Sequence, residues 1–241
     1  MTTMLFYERL VPLSGETHRG LRLKANTGDF TFAAAINSVP LAGVEFQEAA
    51  RDYPIIFTGT GADTLAVALL GLKNGRNLYL GESGGWLPNA HVPAFVRRYP
   101  FALARDGESE DFTVCIDDSH GGFDTESGEA LFDEQGEQTD FLRRCIAFLT
   151  EYQSHLDRTK AFAARLDELG LLQSRELQVA GPQGQSFVLR DLRVVDERKL
   201  AELDDATVLE LYRSGALSWI YAHLVSMGNV GPLVARAEPW R

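Results

Sequence analysis

A cysteine, two aspartates and a histidine fall within one short stretch, Cys115-Ile-Asp117-Asp118-Ser-His120, where a strand-like run enters a loop. A thiol becomes a nucleophile when a base or a positive charge lies beside it. His120 is placed to act as that base, with Asp117 or Asp118 orienting its imidazole. Such a site would modify a peptide or an amino acid. The acidic neighbours work against it by raising the thiol pKa, and the plainer reading is a half-buried cysteine followed by an acidic turn. Asp117, Asp118 and His120 match neither a zinc-protease spacing nor an EF-hand loop. The five histidines, His18, His91, His120, His155 and His223, form no pair at ligand spacing, so the sequence specifies no metal site.

A second group is Arg97-Arg98-Tyr99, which follows Val92-Pro-Ala-Phe95. Neighbouring guanidinium groups can grip a carboxylate or phosphate in bidentate fashion, or form salt bridges to the acids that are in excess. Gly59-Thr-Gly61-Ala-Asp-Thr64, with Glu82 further on, has the outline of a dinucleotide loop. Thr64 stands where the third glycine belongs, and the segment after it has no helical face, which favours a glycine-rich turn. No Walker lysine and no Gly-x-Ser-x-Gly elbow occurs. His223 lies one turn from Trp219 and Ile220. That spacing suits a hydrogen-bonded histidine at the margin of a core, with ligand contact as the alternative.

The elements that must position these groups read as sheet first and helix later. Hairpins are expected for 64–72 with 77–80 around Asn74-Gly75, and for 101–105 with 112–116 around Asp106-Gly107. Shorter strands are expected at 53–57 and 20–24, and a short helix near 92–98. Residues 123–138 are acidic and carry glycine, the composition of an exposed loop. Leu142, Cys145, Leu149, Tyr152, Leu156, Thr159, Ala163 and Leu166 then recur at spacings of three and four, which predicts a helix over 140–169 closed by Gly170. Its seam is poor for a coiled coil and suits packing on the protein's own sheet, although a homo-oligomer through this helix is a third reading of the chain. A further hairpin, 176–180 with 186–195 around Gly181-Pro-Gln-Gly184, changes apolar parity between Leu189 and Leu192, as a bulge requires. Asp196 caps a short helix. Asp204 or Asp205 caps another, which Gly215 interrupts and Gly228-Asn229 ends. The expected class is α+β, with a mainly antiparallel sheet in the first half and a long helix, a hairpin and short helices in the second. It forms one domain over 1–241, mainly β to 122, an acidic loop at 123–138, and mainly α from 139.

Composition narrows the function classes. Against 34 Asp and Glu stand 23 Lys and Arg, a net charge of -11. Thirteen of the acids lie between Asp106 and Asp140 with no Lys or Arg among them, so the rest of the chain is nearly neutral. This balance excludes a phosphate-backbone binder, whose affinity comes from clustered cations, and it disfavours an anionic membrane surface. Cys115 and Cys145 are too few for a disulfide scaffold. The N-terminus lacks a basic region ahead of an apolar one, and apolar runs such as 65–72 fall short of the roughly 18 residues that cross a bilayer. The expectation is a cytoplasmic chain without membrane insertion.

Taken together, the segments resemble the bacterial SapC family. The resemblance runs through Leu5-Phe-Tyr-Glu-Arg-Leu-Val-Pro-Leu13, His18-Arg-Gly-Leu-Arg-Leu23, Asn37-Ser-Val-Pro-Leu41, Val44-Glu-Phe46 and Ala50-Arg-Asp-Tyr-Pro-Ile55. It continues through Val92-Pro-Ala-Phe-Val-Arg-Arg-Tyr-Pro-Phe101, Cys115-Ile-Asp117, Leu131-Phe-Asp-Glu-Gln-Gly136, Ser214-Gly-Ala-Leu217 and Ile220-Tyr-Ala-His-Leu224. The resemblance implies a link by gene context to surface-layer or outer-membrane uptake and modification systems, with no direct biochemical activity attached. It makes Asn37, Glu45, Tyr53, Arg97, Arg98, Tyr99 and His223 the candidates for contact with a protein, peptide or small-molecule ligand, and it names no cofactor.

Overall fold

In the computed structural model, which describes residues 5–25, 28–105, 112–180 and 186–237, three antiparallel sheets and seven α-helices follow in chain order. These are β1 (Leu10–Pro12), β2 (Arg22–Leu23), β3 (Ser38–Pro40), α1 (Phe46–Ala49), β4 (Ile55–Thr58), β5 (Leu65–Leu69), α2 (Ala94–Arg97), β6 (Phe101–Arg105), β7 (Phe112–Asp117), β8 (Phe123–Asp124) and β9 (Glu129–Ala130). After them come α3 (Asp140–Glu168), β10 (Leu172–Ala180), β11 (Ser186–Val195), α4 (Glu197–Ala201), α5 (Asp205–Arg213), α6 (Ala216–Ser226) and α7 (Val230–Arg236). The class is α+β, as expected.

The apolar runs at 55–57 and 65–69 form a hairpin, with Ile56 opposite Val67 and Thr58 opposite Leu65. Gly59 turns it at φ +77°, where a Cβ would stand 2.3 Å from the Asp63 carbonyl oxygen. This is the glycine-rich segment, and its strands are antiparallel, so it is a turn and not a dinucleotide loop. The hairpin expected around Asn74-Gly75 does not form. Gly75 does turn the chain (φ +81°) and Leu78 N–H reaches the Leu70 carbonyl at 2.8 Å, but β5 already holds β4 on one edge and β3 on the other. No edge is left for residues 77–80.

β6 and β7 pair as expected, Phe101 opposite Ile116, and β1 adds to the far edge of β7. The turn at Asp106-Gly107 lies outside the described residues. Residues 123–138, expected as a loop, instead carry β8 and β9, which flank β2 in a small sheet. In the β10–β11 hairpin, Arg175 pairs with Leu192 and Leu177 with Leu189, so the extra residue lies on β11 where the parity change placed it. Its turn at 181–184 lies outside the described residues. β11 joins β4 and completes the order β10-β11-β4-β5-β3.

α3 starts where the Thr139 hydroxyl accepts from Leu142 N–H at 3.2 Å, and Gly170 at φ +65° follows its last turn. Its seam joins two cores. Leu142 and Leu149 bury with Phe101, Ile116 and Leu131 beside the β1-β7-β6 sheet, while Tyr152, Phe162, Ala163 and Leu166 bury with Phe46, Phe57 and Ile220 beside the five-stranded sheet. Asp196 and Asp204 cap α4 and α5, and Gly215 at φ +80° separates α5 from α6. Gly228-Asn229 does not end the helical region: one 3-10 turn there leads into α7. Among the described residues no helix is long and apolar enough to cross a membrane, and no cluster of His, Cys, Asp and Glu could hold a metal.

Candidate ligand site around Arg98

α2 is a single turn at the junction of the two cores, and a buried carboxylate fixes it. Glu45 Oε1 accepts from the Ala94 N–H at 2.7 Å and contacts His91 Nε2 at 2.9 Å, while Oε2 accepts from Ala42 N–H at 3.3 Å. Phe95 and Val96 bury on the inner side. Arg98, the next residue but one, is therefore carried inward, and it is 6% exposed. Its guanidinium lies 4.0 Å from the Phe95 ring centroid and 5.6 Å from those of Tyr7 and Tyr152. Rings around a guanidinium favour the cation, and they leave its N–H edge as the place for an acceptor.

No carboxylate among the described residues forms an ion pair with Arg98, and its Nε has no hydrogen-bond partner. Among the described residues the salt bridge to the acidic excess does not form here. The two buried carboxylates are engaged elsewhere: Glu45 as described, and Asp117 with the N–H groups of Glu8 (2.8 Å), Arg9 (3.1 Å) and Ser119 (3.2 Å) and with the Ser119 hydroxyl (2.6 Å). Tyr7 donates to the Phe101 carbonyl at 2.8 Å. Burial pushes its pKa up to about 12 against the opposing pull of Arg98. The buried Tyr152 hydroxyl also lacks a partner. His155 Nδ1, beside Tyr152, is buried without a partner as well, and three unmatched polar groups at one junction are uncommon in a folded chain, where nearly all such groups are satisfied.

Three cavities open around this junction along α3. The largest, about 460 Å³, has Arg98, Arg105 and Lys160 on apolar walls that include Phe95, Leu103 and Leu156. The second, about 270 Å³, lies on the other side of Arg98 against Tyr99, Phe101 and Phe148. The third, about 190 Å³, is bounded by Glu45, Arg97, Tyr152 and His155. Arg97 donates from Nε to the Val92 carbonyl at 3.0 Å, and its guanidinium lies 5.2 Å from the Phe148 centroid.

Of the residues singled out from sequence, Glu45, Arg97, Arg98 and Tyr99 meet here. Tyr99 stacks on Phe32 with centroids 4.1 Å apart and donates to Asp117 at 3.3 Å. The others do not join them. Asn37 holds the turn through Asn74 Oδ1 at 3.1 Å. Tyr53 is fully buried, bonded to the His91 carbonyl and to Trp86 Nε1. His223 accepts from Val195 N–H at 3.1 Å and donates to the Ile55 carbonyl at 2.7 Å, tying β4 to β11 as a neutral ring. Burial pushes its pKa down to about 4.

The Cys115 loop is assembled differently from a thiol active site. Cys115 is 5% exposed, and burial raises its pKa. The only hydrogen bond of its thiol among the described residues goes to the Thr113 carbonyl at 3.8 Å. The His120 ring packs edge-on against Tyr99 and Phe123, and burial lowers its pKa. Burial works to raise the Asp117 pKa, yet the Ser119 hydroxyl and the three backbone N–H groups outweigh it and the net shift is downward. Asp117 is thus a structural acceptor that ties the N-terminal segment to the end of β7. Sequence reasoning missed Tyr7, Tyr152 and Lys160. Tyr152 was visible as a seam position of α3, and nothing in the sequence brings Tyr7 to Arg98.

The SapC family model matches residues 13–233 of the chain. No curated protein and no solved structure matches it.

Proposed function

The chain belongs to the SapC family, and on that premise we propose that it is a binding or accessory protein whose ligand seats beside Arg98. The observation that carries this reading is a buried guanidinium with an unmatched Nε, no ion-pair partner among the described residues, and open cavities on both sides. A buried charge is costly unless something pairs it, and a ligand acceptor would do so. Within the family context, the role would be an accessory to surface-layer or outer-membrane uptake and modification, carried out in the cytoplasm.

The test is native mass spectrometry of the chain purified from its own host, as wild type and as Arg98→Met, with circular dichroism as the control for folding. The reading expects a retained mass in the wild type that the folded variant loses. A mass retained equally by the variant would place the ligand elsewhere. The alternative of thiol chemistry has its own readout. Cys115 is expected to alkylate more slowly than a free thiol at pH 7, because burial raises its pKa and limits access. Alkylation faster than the free thiol would restore the catalytic reading.

A further inference from the structure

We propose that the group read by Arg98 is a carboxylate joined to an apolar body, and that the body lies in the 460 Å³ cavity between α3 and the β6–β7 hairpin; this rests on the Arg98 site proposed above. Three observations lead to it. The first is the form of the donor. Phe95, Tyr7 and Tyr152 surround the Arg98 guanidinium at 4.0–5.6 Å, so its unmatched Nε–H offers an in-plane donor for an anionic oxygen such as that of a carboxylate.

The second is the wall. Pro40, Leu65, Phe95, Leu103, Phe112 and Leu156 give the cavity an apolar side beside an at least equal polar one, and its volume is in the range of pockets that hold a small organic ligand.

The third is charge. The molecule carries -11, yet among the described residues this cavity has Arg98, Arg105 and Lys160 against one acid, Asp157. That acid is already engaged by Gln153 Nε2 at 2.9 Å and by Lys160 at 3.9 Å. A local excess of cations on an acidic protein selects an anion, and a single buried guanidinium suits a single negative charge. Both a free aliphatic or aryl acid and the C-terminus of an apolar peptide carry this chemistry.

The test is calorimetric titration of the full chain with decanoate, decanol, the peptide acetyl-Leu-Leu-Phe and its C-terminal amide. At least one of the two acids is expected to bind at least tenfold tighter than its neutral counterpart, and the tighter acid identifies the source. Arg98→Met should remove that preference. Should Arg98→Met fail to fold, Leu156→Trp, which fills the cavity from α3 without touching the charge, is expected to cut acid binding at least tenfold. Neutral and acid forms binding alike, acid binding unchanged in the folded variants, or binding by neither acid would overturn the ligand class. Loss of the host-derived mass from Arg98→Met with no acid binding would leave the Arg98 site standing and reject only the carboxylate. Retention of that mass would reject the site itself.

Discussion

At the scale of single residues, the same side-chain chemistry is turned to different ends by what surrounds it. His223 and His120 are both held uncharged by burial, but only His223 has both ring nitrogens engaged by backbone, and it works as a tie between strands. This has a pH consequence with a definite sign. Above pH 6.5 the ring is neutral both folded and unfolded; between 6.5 and about 4 the unfolded chain takes up a proton that the folded chain refuses. Stability is therefore complete above pH 6.5 and is lost as pH falls toward 4, by at most about 3 kcal/mol. Thermal melts from pH 7 to 4 should show a fall in Tm that His223→Gln flattens; an unchanged slope in the variant would mean that other groups carry it. Arg98 was legible in the sequence as an anion-gripping residue, but its isolation was not. Beside local N–H partners, the acids that a composition argument pairs with it are claimed by backbone N–H groups more than a hundred residues from Asp117 and about fifty from Glu45, and no local pattern announces those distant partners.

At the scale of elements, the periodic signals held and the pairing signals were weaker. The seam of α3 read from spacing alone matches the face that is buried, with Cys145 and Leu156 at its half-buried margin. The bulge on β11 followed from parity. The hairpin at Asn74-Gly75 failed because a turn signal cannot say whether the strand before it already has two neighbours, as β5 does. The small sheet of β8, β2 and β9 has strands of two residues, too short to leave a pattern in composition. One packing point is testable. Gly43 donates its N–H to Thr159 Oγ1 of α3 at 2.8 Å, and a Cβ on Gly43 would stand 2.6 Å from the Trp219 ring of α6. Thr159→Val leaves that buried N–H unmatched and should cost ~1–3 kcal/mol in denaturant unfolding. Gly43→Ala should cost about the same by overpacking. A change below ~0.5 kcal/mol in both would mean that the contact between the turn at Gly43, α3 and α6 yields freely.

At the scale of the whole molecule, α3 and β6 each contribute to both cores, and the Arg98 site lies where they meet. Leu149 is buried in the core beside β6 and β7, and Leu149→Ala should destabilise by about 2–5 kcal/mol. If α3 couples the cores, hydrogen exchange will quicken at Ile56 of the five-stranded sheet as well as at Ile116 of the smaller one; quickening confined to Ile116 would mean that the cores open independently. The α3 seam is buried within the chain, so self-association through this helix would use its exposed face. The central claim is that an anionic ligand completes Arg98. The most direct measurement is the ¹⁵N–¹H resonance of Arg98 Nε, assigned by comparison with Arg98→Lys, during titration with decanoate and with acetyl-Leu-Leu-Phe. The account predicts a saturable downfield shift with an acid and none with decanol or the peptide amide. An Nε resonance that stays in place while either acid binds would contradict it.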